Sequence, residues 1–261
     1  LTTPEGFMFI GEFRLGKPFG SGVLVSPSGE EKIVELSDGK IQEDHKDDEN
    51  DYFIKLDALK TEFDLKNFGN FIYSPRVPNV LFVFGEIKEN DSFHFRKALR
   101  THAIDLIVLS SPGGSVWEGL TIAGSIHDRK LSTYVPLSDF YGEGNCASAC
   151  SFMFFAGSSR TAQGNLGVHQ FYSKVYEDRK MGEVEEQTQF GVSEIVGFLN
   201  EFDTPPWVYE RMFQQTDMYF FSRSEISKFE RLHTKNTEQL IDKANKFIKD
   251  FSASLKAVVE K

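Results

Sequence analysis

The chain has 261 residues, a formal net charge of −10, and 40% hydrophobic residues. That is enough apolar material for a sizeable core, and the sign of the charge argues against a dedicated binder of nucleic acid or anionic membranes. Two cysteines are too few for a disulfide framework or a four-ligand zinc site. Phenylalanine, at 26 against 8 tyrosines, predicts an aromatic-rich core. No apolar run approaches the roughly 18–20 residues that span a bilayer. The first residue is leucine and no signal-like stretch follows it, which reads as a trimmed, mature or internal chain.

Residues 7–41 read as short strands joined by glycine turns. Phe9-Ile10-Gly11-Glu12-Phe13-Arg14-Leu15-Gly16-Lys17 recurs 23 positions later as Lys32-Ile33-Val34-Glu35-Leu36-Ser37-Asp38-Gly39-Lys40. A fixed period with glycine at the turn predicts stacked hairpins. The stretch from Gly11 to Gly22 resembles a MORN repeat, so 1–42 is expected to be a small hairpin element, an interaction or spacer unit or an ordinary hairpin at a domain edge. The acidic run Glu43-Asp44-His45-Lys46-Asp47-Asp48-Glu49-Asn50-Asp51 opens a linker and connecting segment over 43–77. It has no central glycine and no alternating ligands, so it is not a calcium loop.

From residue 79 strands and helices alternate. Val80–Phe84, Ile104–Leu109, Leu131–Val135 and Asn165–Val168 read as strands. Ser92–Arg100, Val116–Arg129 and Ala149–Ala156 read as helices. The succession implies an α/β domain over 78–235 with a mainly parallel sheet. Glu183–Phe202 and Pro206–Gln215 follow as amphipathic helices. The segment 236–261 carries Leu240, Ile241, Ala244, Phe247, Ile248, Phe251, Leu255 and Val258 on one stripe. That C-terminal helix must pack on the body or on another subunit.

Three places carry chemistry. The strand Ile104–Leu109 runs into Ser110-Ser111-Pro112-Gly113-Gly114-Ser115 and then a helix, a turn that can expose N–H groups to a phosphate or a developing oxyanion. It has neither a P-loop ending nor a dinucleotide spacing, so the oxyanion reading is preferred over a phosphate site, with a plain strand–helix turn as the alternative. Ser148 sits among small residues in Asn145-Cys146-Ala147-Ser148-Ala149-Cys150, just before an apolar helix, as a nucleophile or simply an N-cap. His169 ends the strand Asn165-Leu166-Gly167-Val168, as a general base or a satisfied core residue. Cys146 and Cys150 bracket Ser148, either bonded in an oxidising compartment or packed as thiols.

Ser-Pro-Gly-Gly, then a serine among small residues nine positions before Gly157, then a strand ending His-Gln, together resemble the Clp-type (ClpP) serine peptidases. Leu81–Ile87 and Ile122–Asp128 extend the resemblance to roughly 78–232, and the Cys-Ala-Ser-Ala-Cys form looks like an exported bacterial subgroup. The resemblance implies a ClpP/crotonase-like βαβ core and a serine peptidase. Ser148 would be the nucleophile, His169 the base and Asp217 the orienting acid, with Gly113, Gly114 and Ala149 at the oxyanion hole. Asp203 is a second candidate for the acid. No cofactor and no metal is implied. The expected partner is a peptide or protein substrate, and assembly into a homo-oligomer is compatible with the apolar stripe. A periplasmic or otherwise exported location is favoured over a cytoplasmic one.

The chain departs from that family in a longer link, Pro136–Gly144, expected to rim the site, and in Phe171 after His-Gln. Hairpins also replace the N-terminal axial loops, so an ATP-dependent partner and a fourteen-subunit barrel are not carried over. Two other readings are a degenerate scaffold that binds partners through the hairpins and the final helix, and a crotonase-type acyl-CoA enzyme. The latter does not need a Ser–His pair.

Overall fold

The computed structural model describes residues 8–14, 17–25, 31–37, 40–42, 59–140, 143–170, 181–214 and 216–259. The chain divides into two compact units, 1–64 with 249–261, and 65–248. The acidic run 43–51 and Phe171 lie outside the described residues.

In the first unit, β1 (Met8–Arg14), β2 (Lys17–Val25), β3 (Glu31–Ser37) and β4 (Lys40–Gln42) form an antiparallel sheet in chain order. The 23-residue period has a direct structural meaning: β1 and β3 begin the two copies, and each pairs with the strand that follows it. Val23 and Val34 are buried on this sheet. In the same unit the Phe63 ring meets Phe251 edge-on at 5.0 Å.

The second unit opens with β5 (Lys66–Phe68) and β6 (Phe71–Tyr73), a hairpin that falls within the connecting segment 43–77 expected from composition. It continues a six-stranded sheet through β7 (Asn79–Phe84), β8 (Ile104–Ser110), β9 (Ser132–Val135) and, later in the chain, β11 (Arg160–Ala162). The order is β11-β9-β8-β7-β6-β5, with β11, β9, β8 and β7 parallel and the β6–β5 hairpin antiparallel at the edge. Val80–Val83 and Leu106–Leu109 are buried throughout, as near-continuous apolar strands must be when a parallel sheet is covered on both faces. Helices α1 (Asp91–Thr101) and α2 (Val116–Asp128) make the β7-α1-β8-α2-β9 crossovers. Glu118 of α2 ties their first turns together by accepting the N–H groups of Asn90 and Ser92, at 3.2 and 2.7 Å.

A second sheet holds β10 (Asn145–Ala147), β12 (Asn165–Val168) and β13 (Tyr219–Phe220) in the order β10-β12-β13. Strands β10 and β12 are parallel, and β13 returns antiparallel to β12. Helix α3 (Ala149–Phe155) follows β10 directly and is buried along its whole length. Helices α4 (Met181–Glu201), α5 (Pro206–Gln214), α6 (Arg223–Ile226) and α7 (Lys235–Val259) complete the chain. The aromatic core expected from composition is seen in the Phe154, Phe155, Phe221 and Phe229 rings, which meet edge-on at 5.2 to 6.1 Å.

Two contacts tie the unit together. Arg160, 1% exposed, gives its guanidinium to the backbone carbonyls of Phe155, Phe202, Asp203 and Phe229. Those carbonyls lie at the ends of α3 and α4 and just past α6, where partial negative charge collects. Phe247 of α7 lies against Phe82 and Phe140, with centroids 5.4 and 6.0 Å away, and Tyr134 donates to Asn245 at 3.1 Å. Ile241, Ala244, Phe247 and Ile248 are thereby buried within the chain itself. No helix is long and apolar enough to cross a membrane among the described residues.

Candidate active site

Ser148 lies between the end of β10 and the start of α3. Its backbone takes φ 55° and ψ −125°, a region that non-glycine residues rarely occupy and that costs about 1–3 kcal/mol. The conformation is held from several sides. The Ser148 N–H donates to the Gly167 carbonyl at 3.0 Å, and the Ser148 carbonyl accepts from the Ser151 N–H and hydroxyl at 2.9 and 2.7 Å. Cys146 and Cys150 are disulfide-bonded across the serine, with Cα atoms 5.2 Å apart and both residues fully buried. The strand and the helix that carry Ser148 are thus joined covalently around it.

His169 follows the last residue of β12, next to the elbow because β12 and β10 are paired with Ala147 opposite Gly167. Its Nε2 and the Ser148 Oγ are 2.8 Å apart. Burial pushes the His169 pKa below its ordinary 6.5, and a hydrogen bond with the Gln170 backbone works in the opposite direction. A neutral imidazole facing a hydroxyl at this distance can take the hydroxyl proton.

The glycine turn wraps the other side. Gly113 and Gly114 have φ of 101° and 138°, conformations that a side chain would strain. The Gly113 carbonyl accepts from Ile87 N–H at 2.7 Å, and Ser115 N–H donates to the Ile87 carbonyl at 2.8 Å, which pins the turn to the segment after β7. Gly113, expected at the oxyanion hole as the residue that shapes the turn, gives its N–H to Ser111 Oγ at 3.1 Å. The N–H groups of Gly114 and Ala149 have no protein acceptor among the described residues. Gly119 lets α2 come against α3, because a Cβ there would lie 2.8 Å from the Ala149 carbonyl.

Asp217 is not brought to His169. It is exposed and has neither a hydrogen bond nor an ion pair to the imidazole among the described residues. Asp203 is engaged elsewhere, its carboxylate 2.9 Å from the Arg231 guanidinium. The described part of the Pro136–Gly144 link is tied down: Asp139 accepts from Ser110 Oγ at 2.5 Å, and Phe140 is buried against Phe84. No cluster of residues able to hold a metal occurs among the described residues.

Sequence reasoning passed over three residues of this neighbourhood: Ser111, which takes the Gly113 amide; Gln170, whose side-chain amide donates to the Phe213 carbonyl at the end of α5; and Met218. Ser111 and Gln170 both stood in motifs, but nothing in their spacing pointed to the Gly113 amide or to α5.

No family model matches the chain, and no curated protein matches it. Among solved structures it is similar to a mutant of ClpP1 from Listeria monocytogenes, at 16% identity and a TM-score of 0.45, over 60% of this chain and 93% of that one.

Proposed function

We propose that this chain is a serine peptidase that cleaves peptide bonds through an acyl-enzyme on Ser148, with His169 as general base. The observation that carries the reading is the 2.8 Å contact between Ser148 Oγ and His169 Nε2 at an elbow held in a strained backbone conformation. His169 takes the hydroxyl proton as Oγ attacks the carbonyl carbon. The oxygen of the tetrahedral intermediate turns to the free N–H groups of Gly114 and Ala149. His169 then gives its proton to the leaving amine, and water releases the acyl group by the same route in reverse. Peptide bonds are chosen over other acyl groups because the Ser-Pro-Gly-Gly, Ser148 and His169 motifs resemble Clp-type peptidases. No cofactor enters these steps.

One observation favours the second reading, a scaffold that binds without cleaving: Asp217 makes no hydrogen bond or ion pair with His169 among the described residues. Fluorophosphonate labelling read by intact mass separates the two. The peptidase reading expects one adduct on the wild type, none on Ser148→Ala or His169→Ala, and release of products from a mixed peptide library. A folded wild type that takes no adduct supports the scaffold.

A further inference from the structure

A histidine that serves as base to a serine must have its ring held, or the wrong tautomer faces the hydroxyl. Strand register decides what can hold it here. Leu166 and Val168 of β12 are fully buried on one face, and side-chain alternation puts Gly167 and His169 on the other. Strand β13 pairs Gly167 with Phe220 and Val168 with Tyr219. One more step of that register sets Met218 opposite His169 and Asp217 opposite Gln170. The side chain of Met218 obeys it: its sulfur lies 3.0 Å from where a Cβ on Gly167 would stand, on the face that carries His169. Asp217, one residue earlier, alternates away and is exposed.

Gln170, the residue after His169, is itself anchored: its side-chain amide donates to the Phe213 carbonyl at the end of α5.

We infer that His169 works in a serine–histidine pair without a carboxylate, and that position 218, not 217, is the place from which an acid would reach it. The inference rests on the peptidase reading of Ser148 and His169. A thioether neither orients the ring by hydrogen bonding nor stabilises the imidazolium. The chain therefore has a weaker base than a triad would, and one substitution supplies the missing carboxylate.

The test measures the fluorophosphonate labelling rate of Ser148 against pH, with the His169 titration followed by NMR. Asp217→Asn should label within about twofold of wild type, with an unchanged midpoint. Met218→Asp should label at least about tenfold faster and move the midpoint upward, because a neighbouring carboxylate favours the charged ring. Met218→Asn, close in size but uncharged, should do neither. A tenfold loss in Asp217→Asn overturns the inference, and so does a folded Met218→Asp whose rate and His169 titration match wild type. Asp217 is exposed, so its arm decides even where a Met218 variant fails to fold. A wild type that takes no label overturns the peptidase reading and this inference with it, whereas a labelled wild type with unresponsive variants overturns only the latter.

Discussion

A Cβ placed on Gly113 would stand 2.6 Å from the Cβ of Ser148. The glycine turn after β8 and the serine elbow after β10 are therefore in direct contact, and the space that a methyl group would need is taken by the nucleophile. Gly113→Ala meets both that contact and a φ of 101°. We expect it to lower the labelling rate of Ser148 by about 100-fold or more while costing about 1–3 kcal/mol of stability. Labelling at the wild-type rate would mean that the turn and the elbow move independently.

Acid should act on the site and on the fold in the same direction. His169 must be neutral to accept a proton, and burial holds its pKa below 6.5, so labelling should be full at neutral pH and fall only in acid, with a midpoint under 6.5. His102 and His233 are likewise held low by burial. Between their folded pKa values and the ordinary 6.5, the unfolded chain binds more protons than the folded one. Stability is then undiminished above that window and lost as pH falls through it. Thermal melts from pH 8 to pH 5 check this, and a melting temperature that rises toward pH 5 would contradict it.

Arg160 is the charge on which the ends of α3 and α4 and the turn after α6 depend. Burial, and then the neighbouring Arg231 charge, bring its pKa down to about 9 against the opposing pull of Asp203, while four carbonyls share its protons. Arg160→Met keeps most of the volume and takes this donor from all four carbonyls, of which only Phe202 keeps another among the described residues, from Arg231. A buried acceptor left without a donor costs about 1–3 kcal/mol. Urea titration should show the loss as a lowered midpoint, and a midpoint within experimental error of wild type would show that the carbonyls find other donors.

The Cys146–Cys150 bond closes a very short loop, so its removal should cost about 2 kcal/mol through the unfolded chain. The larger effect is expected locally. In Cys146→Ala/Cys150→Ala the strained backbone of Ser148 loses its covalent clamp, and the labelling rate should fall about tenfold or more. Intact mass before and after reduction and alkylation reports whether the wild type carries the bond. Equal labelling rates for wild type and the double variant would show that the hydrogen bonds to Gly167 and Ser151 hold the elbow without it.

Helix α7 is expected to belong to the chain's own core. Phe247→Ala removes a ring packed on Phe82 and Phe140, and truncations of this size cost about 3–5 kcal/mol. Light scattering with thermal melts separates the outcomes: a destabilised variant of unchanged mass fits the packing, and a stable variant of altered mass would assign the stripe to an interface between copies.

What could be read from the sequence depended on how local each signal was. The Gly113–Gly114 turn, the elbow at Ser148 and the strand ending in His169 are each carried by contiguous residues, and they meet because β10 pairs with β12 and the turn abuts the elbow. The orienting group was not local. Whether residue 217 or 218 faces His169 depends on the register of β13, a two-residue strand some fifty positions away, and a slip of one residue reverses the face. Strands β5, β6 and β11 are three residues each, too short to show alternation. The stripe on α7 announced a buried face, but amphipathicity does not say what buries it, and the answer came from Phe82 and Phe140. Arg160 gave no sign either, since a charged residue in a short strand reads as an exposed one.

The link between β9 and β10 leaves and returns at one point. Gln163 and Gly164 both donate to the Val135 carbonyl, Asn165 donates to Gly144, and Gly144 donates back to Leu137, while any side chain at Gly144 or Gly164 would strike the Pro136 carbonyl. These two glycine-sized gaps close a neck, and the described link residues 137–140 and 143 lie beyond it as a bight. Because both ends are stitched to the same rung, the bight can be shortened, extended or replaced by a foreign sequence without re-registering β9, β10 or β12, provided that Phe140 keeps its seat against Phe84. It is therefore a place on this scaffold where new recognition can be grafted at little cost to the fold.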